Sequence, residues 1–556
     1  MIIYCSKSTK QGAEISIAAA VRNRDSKVIG NIAEFGHRSL RKIAQATGLS
    51  KSSVGRSVQS QAKRNKHPES HLWETEEGQA WLRILVIAIL YIFGLKGNQG
   101  AERMSEFLKC IRVDTHVGTS PSTLRNMIHQ MEKLLVEFQK KQEVEQGTKG
   151  DQKREIVASG DETWFNGTLL LVLVELTSGY LIMEEEAEDR SYETWNVRAQ
   201  TRLKELGLRV VHFISDRGKS LVKLATAGFG CLAGADIFHA QYDVSKWLGR
   251  SLHGKLGCAS KQLSEAEAKL VKLEEKEAAP DKIEAQKQRV KEKQEKFDII
   301  EAGKQAYSKV QRSISAVVHA FAIEDNQPHS SEQVEDRLKE QAQCFERIAL
   351  EHSVKDNKDA LGKFRRQITD VASIVDAWWL WTKESLASNI EAGIRTWLLY
   401  VLLPVIYWYH QLQKTQNPEL KVLYEAAYQE ALAAYVAHPV TQTTSNQDLD
   451  RWRSWAEGAS NNFHRASSAV EGRNGALAQS YHNGRGLTNR RLSALTVIHN
   501  YDTRRSDGSS AAERLYGEQF PDLFDWLLNQ MGALPLPRKS RQCTRHDPLA
   551  VAAVPP

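Results

Sequence analysis

Apolar positions recur with different periods along the chain, and each change of period marks a boundary. The shortest apolar runs lie between Ile156 and Asp216. Ile156-Val157-Ala158-Ser159-Gly160 is short and ends at Asp161, and Leu169 to Leu176 is almost unbroken and too short for a typical helix, so both predict buried strands. Gly179 marks a turn and Leu181-Ile182-Met183 a third strand. Trp195, Ala199, Leu203 and Leu206 then recur at helical spacing before Val210 to Ile214 restarts a strand. The predicted order is β-β-β-α-β. A crossover of this size lets the first and fourth strands lie side by side and parallel, which would bring Asp161 and Asp216 together at one edge of the sheet.

Helical periods dominate on either side of this region. Leu40, Ile43 and Ala44 predict a short helix, Thr47-Gly48-Leu49 a tight turn, and Ser50 the N-cap of a second helix with Val54 and Val58 facing inward. Trp81 to Phe93 and Ala101 to Cys110 predict further helices. Ser120-Pro121 starts another, with Leu124, Ile128, Met131, Leu135 and Phe138 on one stripe. Arg125 and Lys133 point outward from it, and the unit serves equally as a second DNA-binding element or as packing. Glu143 to Arg154 has one apolar side chain, Val144, and reads as a linker. From Cys258 to Gly458 the pattern is helical: Leu263 and Leu270, then Ile283, Val290 and Phe297, are spaced by sevens on either side of Ala279-Pro280-Asp281, which predicts an antiparallel pair. For the Trp378-Trp379-Leu380-Trp381 cluster, core packing is preferred over stacking on a base. Leu515 to Met531 predicts a last amphipathic segment, and Pro535 to Pro556 a disordered tail.

At 556 residues and 41% hydrophobic content, the chain is long enough for about three or four domains. Its formal charge of +7 is compatible with a polyanionic partner and decides little more. Six scattered cysteines without a CxxC pair suggest neither a zinc site nor a disulfide framework and fit a reducing cytoplasm. The N-terminus lacks a signal-peptide pattern, and the apolar runs Ile84 to Phe93 and Trp397 to Trp408 fall short of a bilayer span, so no membrane partner is expected.

The strand order, together with Gly160-Asp161-Glu162-Thr163 and Ser215-Asp216-Arg217-Gly218, resembles the ribonuclease-H-like core of DDE transposases of bacterial insertion sequences. In that family a third acid comes from a late helix. Ser467-Ser468-Ala469-Val470-Glu471-Gly472-Arg473-Asn474-Gly475 is similar to that segment, with Glu471 as the acid. Glu457 and Glu513 are its nearest rivals, but only Glu471 is followed by Gly-Arg-Asn. Gly234 to His239 resembles the fifth strand of that core, and its Asp-x-Phe-His pattern is similar to one in several such enzymes, although a histidine at such an edge more often serves structure. Leu40 to Gln61 resembles a helix-turn-helix, with Lys51, Ser52, Ser53 and Arg56 exposed toward DNA. Arg473, Arg485, Arg490 and Arg491 would track the cut strand.

The resemblance implies an α/β fold: a ribonuclease-H-like mixed sheet with helices, interrupted by a large all-α insertion and preceded by helical DNA-binding units. The expected divisions are 1–70, the helix-turn-helix region; 71–142, a second helical unit; 143–154, a linker; 155–258, the first part of the core; 259–460, the insertion; 461–505, the end of the core; and 506–556, a helix and tail. It implies two Mg²⁺ ions about 3.5 to 4 Å apart, with Mn²⁺ as a substitute, bridged by Asp161 and held singly by Asp216 and Glu471. Double-stranded DNA, as terminal inverted repeats and target, would be the partner of a homodimer or larger synaptic assembly, cytoplasmic and associated with the nucleoid. Two other readings stay open: a nuclease of the same core without strand transfer, and a DNA-binding regulator that has lost catalysis.

Overall fold

The structure is a computed structural model and describes residues 23–36, 39–147, 153–165, 167–386, 390–482 and 487–537. It is predominantly helical around one five-stranded mixed sheet. The chain divides into two compact units, one of residues 1–142, 479–513 and 517–556, the other of 143–478 and 514–516. This cuts through the expected 461–505 segment. Its first part stays with the sheet, whereas helix Asn489–Tyr501 joins the N-terminal helices.

In the first unit, a helix over residues 23–35 and helices Leu40–Thr47 and Lys51–Arg64 close on a small core of Val28, Ile43 and Val54. Gly48 ends the middle helix at φ 69°, a conformation that glycine adopts without a Cβ penalty, and the Ser50 hydroxyl caps the next helix by accepting from Ser53 N–H. The long helix Pro121–Gly147 buries Leu124, Ile128, Met131, Leu135 and Phe138, as its stripe predicts. Phe138 packs edge-on against Tyr501 and Trp526. That helix runs into the stretch expected as a linker, because Glu143 is buried and accepts from the Tyr180 hydroxyl; residues 148–152 lie outside the described residues. The expected segment 515–531 is two helices, Ala511–Tyr516 and Leu523–Gln530, parted at Gly517 with φ 72°. Of the expected disordered tail, residues 535–537 are packed, with Pro535 C=O accepting from Gly118 N–H; residues 538–556 are not described. Among the described residues, one helical stretch, Glu76–Lys96, is long and apolar enough to cross a membrane, and half of its apolar window is buried within the protein.

The second unit is built on β1 (Arg154–Phe165), β2 (Thr168–Glu175), β3 (Leu181–Ala187), β4 (Leu208–Ser215) and β5 (Leu232–Ala235), in the order β3-β2-β1-β4-β5. The first three strands are antiparallel, and β4 and β5 run parallel to β1. Two strand expectations need correction. β1 does not stop at Asp161 but continues to Phe165, because Glu162, Thr163 and Trp164 pair with Leu171, Leu170 and Leu169 of β2. β5 ends before Asp236, whose carboxylate caps helix Ile237–Val244 by accepting from Phe238 and His239 N–H, so the Ile237 to His239 stretch is helical.

Helices cover both faces of the sheet. On one, Gly160 lets Phe213 and Trp195 of helix Tyr192–Glu205 approach; a Cβ there would lie 2.9 Å from Phe213 Cζ. On the other, Ala469 and Val470 of helix Ser468–Ser480 pack over Val157, Val172, Leu181 and Ile214.

The expected insertion is helical throughout its main elements. Helices Arg250–Glu275 and Pro280–Val317 form the predicted antiparallel pair, whose seam is only half-buried and includes buried Gln286, bonded at 2.9 Å to Ala266 C=O. Trp378, Trp379, Trp397 and Trp408 are buried in the insertion's core, where Trp378 Nε1 donates to Ala459 C=O. These rings pack the interior and are not free to stack on a base.

Candidate active site

The parallel register of β1 and β4 places two acids at one end of the sheet. Ser159 pairs with Ile214; two residues further along each strand, on the same face, stand Asp161 and Asp216. Asp161 is half-buried and Asp216 is exposed just past its strand. The turn that follows is built by short-range bonds: Gly218 N–H donates to Asp216 Oδ1 at 2.9 Å, Arg217 N–H to Ser215 Oγ at 3.2 Å, and Arg217 adopts φ 69° while its guanidinium pairs with Asp370 of the insertion.

Helix Ser468–Ser480 brings Glu471, the expected third acid, to this edge. Asn474, one turn beyond Glu471, donates from Nδ2 to Asp161 Oδ2 at 2.7 Å. Arg473, on the sheet side, forms a two-pronged pair with Glu184 of β3, Nε to Oε1 at 2.6 Å, both side chains being buried. Glu471 is therefore left on the open side of the helix, and its Oε1 lies 3.6 Å from His239 Nδ1.

His239 and Asp236 complete the constellation. Asp236 is fully buried and both of its oxygens are occupied: Oδ1 accepts Phe238 N–H at 2.6 Å and His239 N–H at 3.1 Å, and Oδ2 accepts the N–H and hydroxyl of Ser467. Against its burial, the bonds from His239 and Ser467 hold the Asp236 carboxyl down at about 2. The bond to Asp236, with the charges of Asp236, Glu471 and Asp216, pushes the His239 imidazole up to about 9. Asp161 is raised above the usual carboxylate range, first by burial and then by the negative charge of Asp216. Oxygen and nitrogen atoms of Asp236, His239 and Glu471 lie within 4.8 Å of one another. Asp236 is nevertheless a poor ligand, because a cation would have to displace hydrogen bonds to buried donors.

Residues 398–543 match a family model described as a family of unknown function, DUF6399. No curated protein matches the chain. The matched segment contains Glu471 and leaves out Asp161 and Asp216, so it takes in helix Ser468–Ser480 and not the sheet.

The other expected contact residues fall in several places. Lys51, Ser52 and Arg56 are exposed on helix Lys51–Arg64, whereas Ser53 is half-buried and tied to Ser50 in the cap. Arg56 and Lys63 border a cleft of about 850 Å³ that Arg24, Gln59 and Ser60 also line. Arg473 is corrected from a DNA contact to a buried ion-pair partner, since its guanidinium is taken up by Glu184. Arg490 and Arg491 belong to the first unit: Arg490 pairs with Glu132, and Arg491 donates to the carbonyls of Gly94 and Leu95 and to Asn98. These contacts tie helix Asn489–Tyr501 to its neighbours, and Arg490 stays exposed. Arg485 lies outside the described residues. Three residues absent from the expected site belong to it: Asp236, His239 and Asn474. The Asp-x-Phe-His and Glu-Gly-x-Asn patterns carried the only sequence signal for them.

Proposed function

We propose that the chain is a DDE-type transposase, with a ribonuclease-H-like core whose Asp161, Asp216 and Glu471 serve metal-dependent cutting and joining of DNA. The observation that carries this reading is the gathering, at one sheet edge, of acids from β1, from the end of β4 and from a helix that follows a large helical insertion. The strand order, with three antiparallel strands and two parallel ones, is that expected of such a core.

The donor set suits hard divalent cations such as Mg²⁺ or Mn²⁺: three carboxylates, with no thiol among them. Asp161, Asp216 and Glu471 are the residues that would hold the ions. When bound, such ions supply an activated oxygen nucleophile and stabilise the departing 3′-oxygen. The chain's own residues supply orientation. Asn474 fixes Asp161, the Gly218 N–H fixes Asp216, and the Asp236–Ser467 contact fixes the start of the helix that presents Glu471. The three-helix unit with Lys51 and Arg56 exposed supports sequence-specific recognition of double-stranded transposon ends. Joining two ends in concert calls for a dimer or larger assembly.

The test is incubation of the full chain and Mg²⁺ with DNA carrying the repeats that flank its gene. Cut ends and joined products, both lost in Asp161→Asn, support the reading. Cut ends without joined products would favour a plain nuclease, and specific binding without either product a regulator.

A further inference from the structure

Beyond the acids, the helix that carries His239 presents a second feature. Its inner side, Ile237, Ala240, Gln241, Val244, Leu248 and Leu252, is buried. Its outer side carries Phe238 and Tyr242, 59% and 52% exposed, then Lys246 and Arg250, also exposed, at every fourth position through a π-helical turn over Ser245–Gly249 and into helix Arg250–Glu275. Neither aromatic ring stacks on another among the described residues. Lys246 Nζ sits 4.0 Å over the Tyr242 ring, and neither Lys246 nor Arg250 has an ion-pair partner among the described residues. The one acid along this stretch, Asp243, is neutralised by Lys363 at 2.9 Å. The stripe starts beside His239, which touches Glu471, and leads away from the site.

We propose that Phe238, Tyr242, Lys246 and Arg250 form a track for unpaired DNA next to the cut phosphodiester. It rests on the DNA-cutting reading of the acids and adds which form of DNA the site engages. Two rings this exposed, Tyr242 with Lys246 over one face, are costly on a surface that meets only water, and stacked duplex bases offer them no partner face. A single strand offers both components this stripe complements, base faces for the rings and phosphates for the cations.

The experiment measures fluorescence anisotropy of the full chain with a labelled thymidine oligonucleotide and with a matched duplex, in EDTA so that nothing is cut. Phe238→Ala and Tyr242→Ala combined should weaken single-strand binding by about tenfold or more, as expected for loss of base stacking, while duplex binding stays within about twofold. Tyr242→Phe should bind like wild type. Lys246→Ala with Arg250→Ala should reduce the salt dependence of single-strand binding by about 1.4 in log–log slope. Since both rings are exposed, thermal midpoints should not move; a 2-aminopurine oligonucleotide quenched by wild type and not by Tyr242→Ala reads stacking independently of affinity. Equal weakening on both DNAs, or none on either, overturns the track. A chain that cuts DNA without these effects keeps its acids and loses the track, whereas a chain that shows them and never cuts loses the transposase reading alone.

Discussion

Asp236 and Ser467 are 231 residues apart in the chain, yet one carboxylate oxygen, Asp236 Oδ2, accepts both the N–H and the hydroxyl of Ser467. The same carboxylate caps the helix that follows β5. Two of the elements that surround the candidate site, one with His239 and one with Glu471, therefore start from a single buried anion.

This contact makes Asp236 a positioning residue. Asp236→Ala would strand four donors, the two on Ser467 buried, and should cost about 3 kcal/mol or more of stability. Ser467→Ala keeps the backbone bond and should cost only about 1 kcal/mol. Chemical denaturation ranks the two; on the proposed DNA-cutting reading, at temperatures where both remain folded, kcat should fall more than KM rises, because Glu471 is displaced while the proposed DNA contacts are unchanged.

Arg473 gives a prediction that separates a structural from a DNA-contacting role. Removing one partner of its buried pair, by Arg473→Ala or Glu184→Ala, should destabilise the protein by about 3 to 5 kcal/mol, whereas Arg473→Met with Glu184→Leu should recover much of that loss. Denaturant midpoints test the ranking. A double variant as unstable as either single change would mean that packing, not the uncompensated charge, sets the cost.

Legibility in the sequence followed how local each feature's cause is. The strands around Leu171 and Phe213 and the Trp195 helix were readable because an apolar face imposes its period on neighbouring residues. So was the pairing of Asp161 with Asp216, which needs only one crossover and parallel register. Arg473 was misread because its partner Glu184 opens the run Glu184-Glu185-Glu186, which looks solvated until β3 places that residue beneath a helix 289 residues later in the chain. The roles of Asp236 and His239 depend on Ser467 and Glu471, brought back only after the whole helical insertion. The extension of β1 past Asp161 depended on strand pairing rather than on the polar residues themselves.

His212 predicts an acid-side loss of stability. It is buried in β4, where desolvation pushes its imidazole down to about 4. Between the ordinary value near 6.5 and this depressed one, the unfolded chain binds a proton that the folded chain does not. Its contribution is thus complete above about pH 6.5 and is lost as pH falls toward 4, amounting to about 3 kcal/mol across the window. His212→Leu should flatten that limb in denaturation series from pH 7 to 4; an unchanged slope would mean the loss comes from other groups.

Arg56 and Lys51 should differ in how they fail. If Arg56 reads a base, Arg56→Ala costs about 1 to 3 kcal/mol on the cognate end and relaxes preference at one position. Lys51→Ala, removing a phosphate contact, should weaken all duplexes alike and lower the salt slope by about 1. Binding titrations over a set of single-base variants distinguish the two patterns, and equal binding by wild type and both variants would remove DNA reading from this helix.

Asp161 and Asp216 stand at neighbouring strand ends, and the Asp161 carboxyl is raised first by burial and then by the negative charge of Asp216. Without a cation this repulsion opposes folding, so neutral Asp216→Asn should melt no lower than wild type in EDTA, although it removes a polar turn residue's charge. With Mg²⁺ or Mn²⁺ the order should reverse. Wild type gains stability by binding an ion in the folded state only, about 2.7 kcal/mol at a hundredfold excess over the dissociation constant, and the variant gains much less. In that variant the Gly218 N–H can still donate to the side-chain carbonyl oxygen of the introduced asparagine, so the loop that follows β4 should persist and the difference should report the ion alone. Thermal melts of both proteins, with EDTA and with each metal, carry the test: the same metal response in both would show that Asp216 holds no ion and that its place beside Asp161 is structural.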